Sequence, residues 1–208
     1  MSGVKTVVGE TETTTVIERS KFVCSVKGVN SEEEAKGFIN SVRKKHSLAN
    51  HNCYAYIADD KGLTQKFSDD GEPQGTAGMP MLGVLKARGL YKVVVVVTRY
   101  FGGIKLGAGG LVRAYSGAVA KTLDAAETKE FFQTDFIAAE LTYSQHKKMP
   151  RIADCEVVSV DYGQVVTVKM AVKKESGGKV AVERVFAEAY GGAVKIRSEG
   201  SGLYAFTE

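Results

Sequence analysis

The chain has 208 residues, of which 44% are hydrophobic and 25% charged, and it carries a net charge of +4. This composition is typical of an ordinary soluble protein, and the length suits one large domain or two small ones. The N-terminus has no apolar signal core, no apolar run is long enough to span a bilayer and only three scattered cysteines occur, so the sequence predicts a cytoplasmic protein without a membrane segment or a disulfide framework.

The first predicted elements in chain order are a hairpin, a helix and a strand. Residues 13–18 and 22–26 form two strands joined by a tight turn. Ser31 and Glu34 have the spacing of a capping box and begin a helix with a buried apolar stripe. Residues 53–58 then alternate between the two faces of a strand.

An acidic segment, SDDGEPQGTAGMP at residues 68–80, follows among turn-forming residues. Its carboxylates, those of Asp69, Asp70 and Glu72, are hard oxygen ligands at a spacing that can hold Mg²⁺. The favoured alternative is that they pair with arginines further along the chain, because the segment lacks the ligand order of an EF-hand. Pro80 fits the first turn of a helix at residues 81–88.

A strand, a glycine-rich segment and a second helix occupy the middle of the chain. The valine run at residues 93–97 is typical of a strand buried on both faces, and helical spacing of apolar residues predicts a helix at 111–126. Five glycines lie between them: Gly102, Gly103, Gly107, Gly109 and Gly110. Amides near a helix N-terminus attract phosphate or carboxylate, and Arg99, Lys105 and Arg113 add positive charge. The spacing matches no nucleotide fingerprint, so an anion site and a purely structural turn both remain open.

No acidic residue lies between Glu72 and Asp124. That stretch contains seven basic residues: Lys86, Arg88, Lys92, Arg99, Lys105, Arg113 and Lys121. It predicts a basic surface, with a set of solvated lysines as the alternative. Four aromatic residues are interleaved with these bases and either stack on nucleobases or belong to the core: Tyr91, Tyr100, Phe101 and Tyr115.

The last third of the chain follows a polar linker predicted at residues 127–130. Its predicted elements are a strand at 136–143, a helix between 145 and 154, a hairpin at 156–162 and 165–173, a helix at 180–190 and a strand at 193–197. This is the βαββαβ order of ferredoxin-like domains. Pro150 would kink the first of these helices unless the helix begins there.

Three segments together resemble a known family. HNCYAY (residues 51–56), SDDGEPQGTAG (68–78) and VVVVVTRYFGGIKLGAGGLVRAY (93–115), in this order and spacing, closely resemble the IMPACT/YigZ family, formerly a family of uncharacterised proteins. The resemblance is strong over residues 13–126 and looser elsewhere. It implies an α+β fold of two domains: an α/β domain at 1–130, of the superfamily shared with a ribosomal small-subunit protein domain and the GHMP kinases, and a ferredoxin-like domain at 135–208 similar to the last domain of elongation factor G.

The resemblance also implies a functional context. Eukaryotic members of the family look like regulators of translation that act through a stress-activated initiation-factor kinase pathway, whereas bacterial members have no settled activity. We therefore expect a protein that binds RNA, a ribosome or a translation factor, without sequence-specific binding to DNA. The residues predicted to bind phosphate or RNA are Arg99, Tyr100, Lys105, Gly107, Gly109, Gly110 and Arg113.

The remaining polar residues are assigned supporting roles. Asp69, Asp70 and Glu72 would orient the bases or hold Mg²⁺, although no cofactor is expected. His51 is a further polar member of the site, and a bond from its ring to the backbone is favoured over a role as general base. Two other functions stay open: an enzyme acting on a small phosphorylated metabolite or nucleotide, and a pure protein-interaction module. The sequence has no catalytic motif such as G-x-S-x-G or H-E-x-x-H, so a binding protein is favoured over an enzyme and no catalytic residue is assigned.

Overall fold

The structure is a computed structural model and describes residues 3–192 and 194–207. It forms two units: residues 4–129 make the first, and the described residues from Glu130 onward, with Gly3, make the second. Both units contain helices and strands, so the predicted mixed α/β class is confirmed. Among the described residues, no helix is both long and apolar enough to cross a bilayer.

The first unit is a five-stranded antiparallel sheet, in the order β2-β3-β6-β4-β5, with helices on both faces. Its elements are β1 (Val4–Val7), β2 (Glu10–Ile17), β3 (Ser20–Gly28), α1 (Glu32–Lys45), β4 (His51–Ile57), β5 (Gln65–Ser68), α2 (Gly78–Ala87), β6 (Val93–Tyr100) and α3 (Gly107–Ala125). The predicted hairpin, α1 and the predicted strand at 53–58 are confirmed, whereas the four-residue strands β1 and β5 were not predicted.

The valine run lies at the centre of this sheet, as predicted. Val93, Val95 and Val97 pack into the core beneath α2 and α3, while Val94 and Val96 pack against α1 on the other face. All five are fully buried. Because alternate valines of β6 pack in the cores on the two faces of the sheet, this strand positions α1 on one face and α2 and α3 on the other.

Helix α1 begins as the capping signal predicts, with one difference. The Ser31 hydroxyl accepts a hydrogen bond from the Glu34 backbone N–H. The Glu34 carboxylate, however, accepts from the N–H of Asn30 rather than from that of Ser31. The reciprocal half of the capping box is therefore displaced by one residue.

The second unit has the βαββαβ element order that the sequence predicts. Its elements are β7 (Thr128–Leu141), α4 (Tyr143–Lys147), β8 (Cys155–Tyr162), β9 (Val166–Lys173), α5 (Gly178–Tyr190) and β10 (Lys195–Tyr204). These strands pair antiparallel in the order β10-β7-β9-β8. The predicted last strand started at Ala193, which lies outside the described residues.

One prediction in this part of the chain is wrong, and another holds only in part. The helix expected between 145 and 154 spans only Tyr143–Lys147, where Thr142 and Gln145 form a capping box at its start. It ends ahead of Pro150 because the residue before a proline disfavours helical angles. The polar linker predicted at 127–130 contains the boundary between the two units, which falls after Lys129, but it is not a loop, because β7 already begins at Thr128.

Helix α2 offers a test of the packing. A Cβ atom at Gly78 would lie within 2.8 to 2.9 Å of the Ser68 backbone, whereas a Cβ at Gly83 would have nothing within 4 Å. We expect Gly78→Ala to destabilise the first unit by about 1 to 3 kcal/mol through overpacking. Gly83→Ala in the same helix should be neutral or stabilising by up to about 1 kcal/mol. Thermal and urea denaturation of both variants check this, and an equal response would contradict the described approach of α2 to β5.

Candidate functional site

The segments that carry the predicted site residues meet at one edge of the first unit's sheet. His51, at the start of β4, pairs with Arg99 near the end of β6. Just beyond β6, the N–H of Gly102 donates to the Ser20 hydroxyl at 3.2 Å. A Cβ at Gly102 would overlap the Arg19 carbonyl, so only glycine permits this approach to the β2–β3 turn.

A buried ion pair joins the acidic segment to this edge. Arg99 Nη1 lies 2.8 Å from Glu72 Oε1, and the two side chains are 7% and 3% exposed. The Tyr115 hydroxyl of α3 donates to the same carboxylate oxygen at 2.7 Å. The hypothesis that the acidic segment pairs with the arginines is therefore confirmed for Glu72 and Arg99.

The Arg99 guanidinium is enclosed on its other sides. It lies between the rings of Phe22 and Phe101, 5.4 Å from each centroid, and its Nη2 atom donates to Ser20 at 3.3 Å. Its Nε atom is buried and has no hydrogen-bond partner among the described residues. A direct contact between Arg99 and a ligand, which the sequence predicts, would thus require Phe101 to move.

The pairing predicted for Asp70 is wrong. Its carboxylate binds Arg43 Nη2 of α1 at 2.9 Å and the backbone N–H of Asn52 at 2.7 Å, and it pairs with neither Arg99 nor Arg113. Arg43 was not predicted as a site residue. Only the packing of α1 against the sheet brings it to the acidic segment, and no local sequence pattern signals that contact.

The Asp69 carboxylate is hydrogen-bonded to the backbone of the acidic segment. Its carboxylate accepts hydrogen bonds from the N–H groups of Gly75, Ala77 and Gly78. Burial alone would raise the pKa of Asp69, but these three donors hold the pKa below its ordinary value. The three carboxylates thus face three different sets of protein groups. In the described ranges, no three His, Cys, Asp or Glu side chains gather as ligands for a metal ion.

His51 bonds to the backbone, as favoured from the sequence. Its Nδ1 atom lies 2.8 Å from the Asp70 carbonyl, which can only accept, so Nδ1 carries a proton. Its Nε2 atom lies 3.9 Å from Glu72 Oε2, and the ring is 25% exposed. Protonation of Nε2 would direct an N–H toward this carboxylate.

Two further groups behind Glu72 stay protonated at neutral pH. The Cys53 thiol donates to the Asp69 carbonyl at 3.0 Å, and burial raises its pKa to about 12. Burial and the neighbouring Cys53 raise the pKa of Tyr115 far above its ordinary value. Neither group is an activated nucleophile in this state.

Helix α3 begins four residues earlier than predicted, at Gly107. The low helix propensity of glycine hides this first turn in the sequence. Its N-cap, Leu106, makes no side-chain hydrogen bond, and the first turn contains no acid. The N–H groups of residues 106–109 therefore have no acceptor within the helix, whereas that of Gly110 can donate to Leu106.

The glycines of this turn differ in what they require. Gly107 has a φ of 68°, which favours glycine, and a Cβ at Gly110 would come within 3.0 Å of Leu106 Cβ. Gly109 has no positive φ, and the nearest atom to an added Cβ would be Arg113 Nη1 at 3.6 Å. Alanine therefore suits the backbone angles of Gly109, and the Arg113 side chain lies close to this residue.

Four basic residues of the acid-free stretch fall into two groups, those with a protein partner and those without an ion pair. Arg88 pairs with Asp124 at 2.7 Å, and Lys121 donates to the Thr14 carbonyl. Lys105 and Arg113 are exposed, and neither forms an ion pair within the described part of the chain. They are the predicted site residues whose charge remains available at this edge.

Tyr100 is partly buried and bonds to a histidine of the protein. Its hydroxyl lies 2.9 Å from His46 Nδ1, and the two rings pack edge to face. The ring is half-buried. A contact between Tyr100 and RNA stays a prediction.

Comparisons with known proteins place this arrangement in a family. The model of the Impact N-terminal domain matches residues 18–123. The IMPACT family member YvyE of Bacillus subtilis (strain 168) is 55% identical over 109 residues, which are 52% of this chain and 50% of that protein. The IMPACT family member YigZ of Escherichia coli (strain K12) is 37% identical over 160 residues, which are 74% of this chain and 78% of that protein.

A solved structure also matches. A crystal structure of a hypothetical protein is 30% identical with a TM-score of 0.64, over 100% of this chain and 99% of that one. The chain belongs to the IMPACT family, which confirms the predicted resemblance. It spans about half the length of the B. subtilis relative.

The buried pair predicts that removing the Glu72 carboxylate destabilises the protein much more than removing the Asp70 carboxylate. Glu72→Ala leaves Arg99 buried and unpaired, which should cost about 3 to 5 kcal/mol of unfolding free energy. Asp70→Ala removes a partly exposed pair and one backbone acceptor, so about 1 to 2 kcal/mol is expected. Urea denaturation measures both, with Glu72→Gln as the control that keeps an acceptor oxygen. Equal losses in the two alanine variants would show that the Glu72 pair is not the stronger constraint.

The lowered pKa of Asp69 predicts that the stability of the protein depends on pH. Because its folded-state pKa is lowered, the carboxylate stabilises the fold above its ordinary pKa of 3.8, and this contribution is lost as the pH falls through the lower folded-state value. Asp69→Asn should therefore destabilise the protein at pH 7, and its deficit relative to wild type should shrink below about pH 4. Denaturation across pH 2 to 7 tests this, with Asp60→Asn as the control because the Asp60 carboxylate has no hydrogen bond in the described residues. A deficit that is constant with pH would contradict the assignment.

Proposed function

We propose that the chain is a cytoplasmic protein that binds RNA or a ribosome-associated partner and acts in the regulation of translation. One observation carries the proposal: at the start of α3, uncapped backbone N–H groups lie beside the exposed cations Lys105 and Arg113. What the family resemblance implies for eukaryotic members supports the connection with translation.

The start of α3 suits a phosphate for two physical reasons. The helix dipole places a partial positive charge at this end, and the free N–H groups are donors that need an acceptor. Arg113 can add a two-bond grip on the phosphate oxygens, and Lys105 adds a point charge. In this proposal the amides of Gly107 and Gly109 contact the phosphate, while Gly110 serves the packing of the turn.

The charge distribution favours a polyanionic partner. Residues 1–134 carry the whole net charge of the chain, since the basic and acidic residues after them are equal in number. Glu72 is neutralised by Arg99, and Asp70 is paired with Arg43. The exposed charge at the site edge is therefore basic, which steers nucleic acid toward it.

We also propose finer fold assignments for the two units. The first corresponds to the α/β superfamily shared with a ribosomal small-subunit protein domain and the GHMP kinases. The second corresponds to a ferredoxin-like domain similar to the last domain of elongation factor G, and its antiparallel β10-β7-β9-β8 sheet supports this.

A second candidate function is an enzyme acting on a small phosphorylated metabolite or nucleotide. It is favoured by the partly exposed His51 ring beside Glu72 at the same edge. Against it, the nearby Cys53 thiol is held protonated, its pKa raised to about 12 by burial. Tight binding of a phosphorylated small molecule in place of RNA would favour this alternative.

The proposal predicts weak, strongly salt-dependent binding of single-stranded RNA. Three or four phosphate contacts, each contributing about 0.7, should give a log–log salt slope of about 2 to 3. Lys105→Ala and Arg113→Ala should each reduce the slope by about 0.7, whereas Lys61→Ala, at the opposite edge of the sheet, should leave it unchanged. Fluorescence anisotropy with a labelled oligonucleotide between 25 and about 300 mM salt measures the slope. Affinity that is independent of salt, or no binding at low salt, would refute the proposal.

Gly109→Ala extends the same experiment to the backbone. Alanine fits the helical angle at this position, so stability should be unchanged or rise by up to about 1 kcal/mol. The added methyl group should nevertheless weaken RNA binding, because it projects beside the free amides. Gly37→Ala, at an exposed and equally open position of α1, is the matched control. If Gly109→Ala keeps the full affinity, the amides of this turn are not the contact.

A further inference from the structure

Phe101 has an unusual setting at the proposed binding edge. It is the residue directly after β6, and 47% of its surface is exposed. The three other aromatic residues of the basic stretch are withdrawn from solvent: Tyr115 is buried, Tyr100 is half-buried against His46, and Tyr91 packs on the core. Phe101 alone among these four presents a large aromatic surface to solvent.

The inner side of the Phe101 ring is held in place by Arg99. The guanidinium lies 5.4 Å from the centroid of Phe101 and 5.4 Å from that of the buried Phe22, within cation–π distance of both rings. Glu72 and Ser20 fix the guanidinium from its edge. A ring fixed on one side loses little conformational entropy when a ligand packs on the other.

Arg99 also carries a buried donor that no described residue satisfies. The residue is 5% exposed, yet its Nε atom is buried without a hydrogen-bond partner in the described ranges. Buried donors are nearly always paired in native proteins. A ligand would reach this donor only if Phe101 moved.

The chemistry around Phe101 favours a nucleobase over an apolar peptide. Lys105 lies four residues further along the chain, and the free amides of α3 follow at residues 106–109. Single-stranded nucleic acids bind where a basic, phosphate-accepting groove adjoins an aromatic side chain. An apolar peptide would make no use of the free amides or of the unpaired Lys105 and Arg113.

We propose that Phe101 is the base-stacking residue of the site: an unpaired nucleobase of single-stranded RNA packs on its outer face while the neighbouring phosphates occupy the start of α3. This rests on the proposed function and adds to it a recognition element that phosphate contacts alone do not provide. The stack is tolerant of sequence, because every base has a π-face.

The first test uses the chain without any substitution. Octaadenylate RNA is compared with an abasic strand that has the same sugars and phosphates but no bases. We expect the abasic strand to bind about 5- to 150-fold more weakly, the effect of losing one stacked base, with an unchanged salt slope. Equal affinities would overturn the stacking proposal and leave the proposed function standing. Failure of both strands to bind, the result expected of a protein-interaction surface, would refute the proposed function and the stacking with it.

The second test locates the stacked base. The chain contains no tryptophan, so Phe101→Trp introduces a single fluorophore. Octaadenylate should quench its emission along the binding curve, whereas the Leu63→Trp control, at an exposed position on the opposite edge of the sheet, should not respond. Phe101→Leu, checked by thermal denaturation to be folded at the assay temperature, should bind octaadenylate about 5- to 150-fold more weakly while keeping its salt slope. Octaadenylate binding without quenching, or with full affinity in Phe101→Leu, would place the base elsewhere and overturn the proposal.

Discussion

The buried pair of Glu72 and Arg99 is the interaction on which the rest of the site depends. Removing two charges from water is costly unless both are well paired and hydrogen-bonded. Here the cost is offset by Tyr115 on the carboxylate, Ser20 on the guanidinium and the flanking rings of Phe22 and Phe101. The pair can therefore form only when β3, the acidic segment, β6 and α3 are all in place.

This dependence explains why three separated segments identify the family together. His51 comes from the first, Glu72 from the second, and Arg99 and Tyr115 from the third, and the other three side chains converge on the Glu72 carboxylate. The charges most conspicuous in the sequence are thus used internally. The groups left for a ligand are less conspicuous ones, namely backbone amides, Lys105, Arg113 and the outer face of Phe101.

Features that depend on a few neighbouring residues could be predicted from the sequence, whereas features that depend on tertiary packing could not. Local patterns predicted the β2–β3 hairpin, the start of α1 at Ser31 and the two-sided burial of the valine run, because alternation, capping and continuous apolarity act over a few residues. The pairing of Asp70 with Arg43 could not be predicted, since it depends on how α1 packs on the sheet. The first turn of α3 was missed because glycine disfavours a helix, and tertiary packing overrode that preference. The extent of α4 could have been predicted by giving Pro150 more weight.

The same glycines bear on why the site has this composition. Gly107 is required by its backbone angle, and Gly110 by its approach to Leu106. At Gly109, neither the backbone angle nor close packing requires a glycine. The same holds for Gly117, where an added Cβ would meet nothing within 4 Å. Each forgoes about 1 kcal/mol of helix stability relative to alanine. Because they lie one turn before and one turn after Arg113, they leave both sides of its side chain open on the exposed face of α3. Packing does not account for that cost, whereas the phosphate that we propose to bind at Arg113 would use this open face.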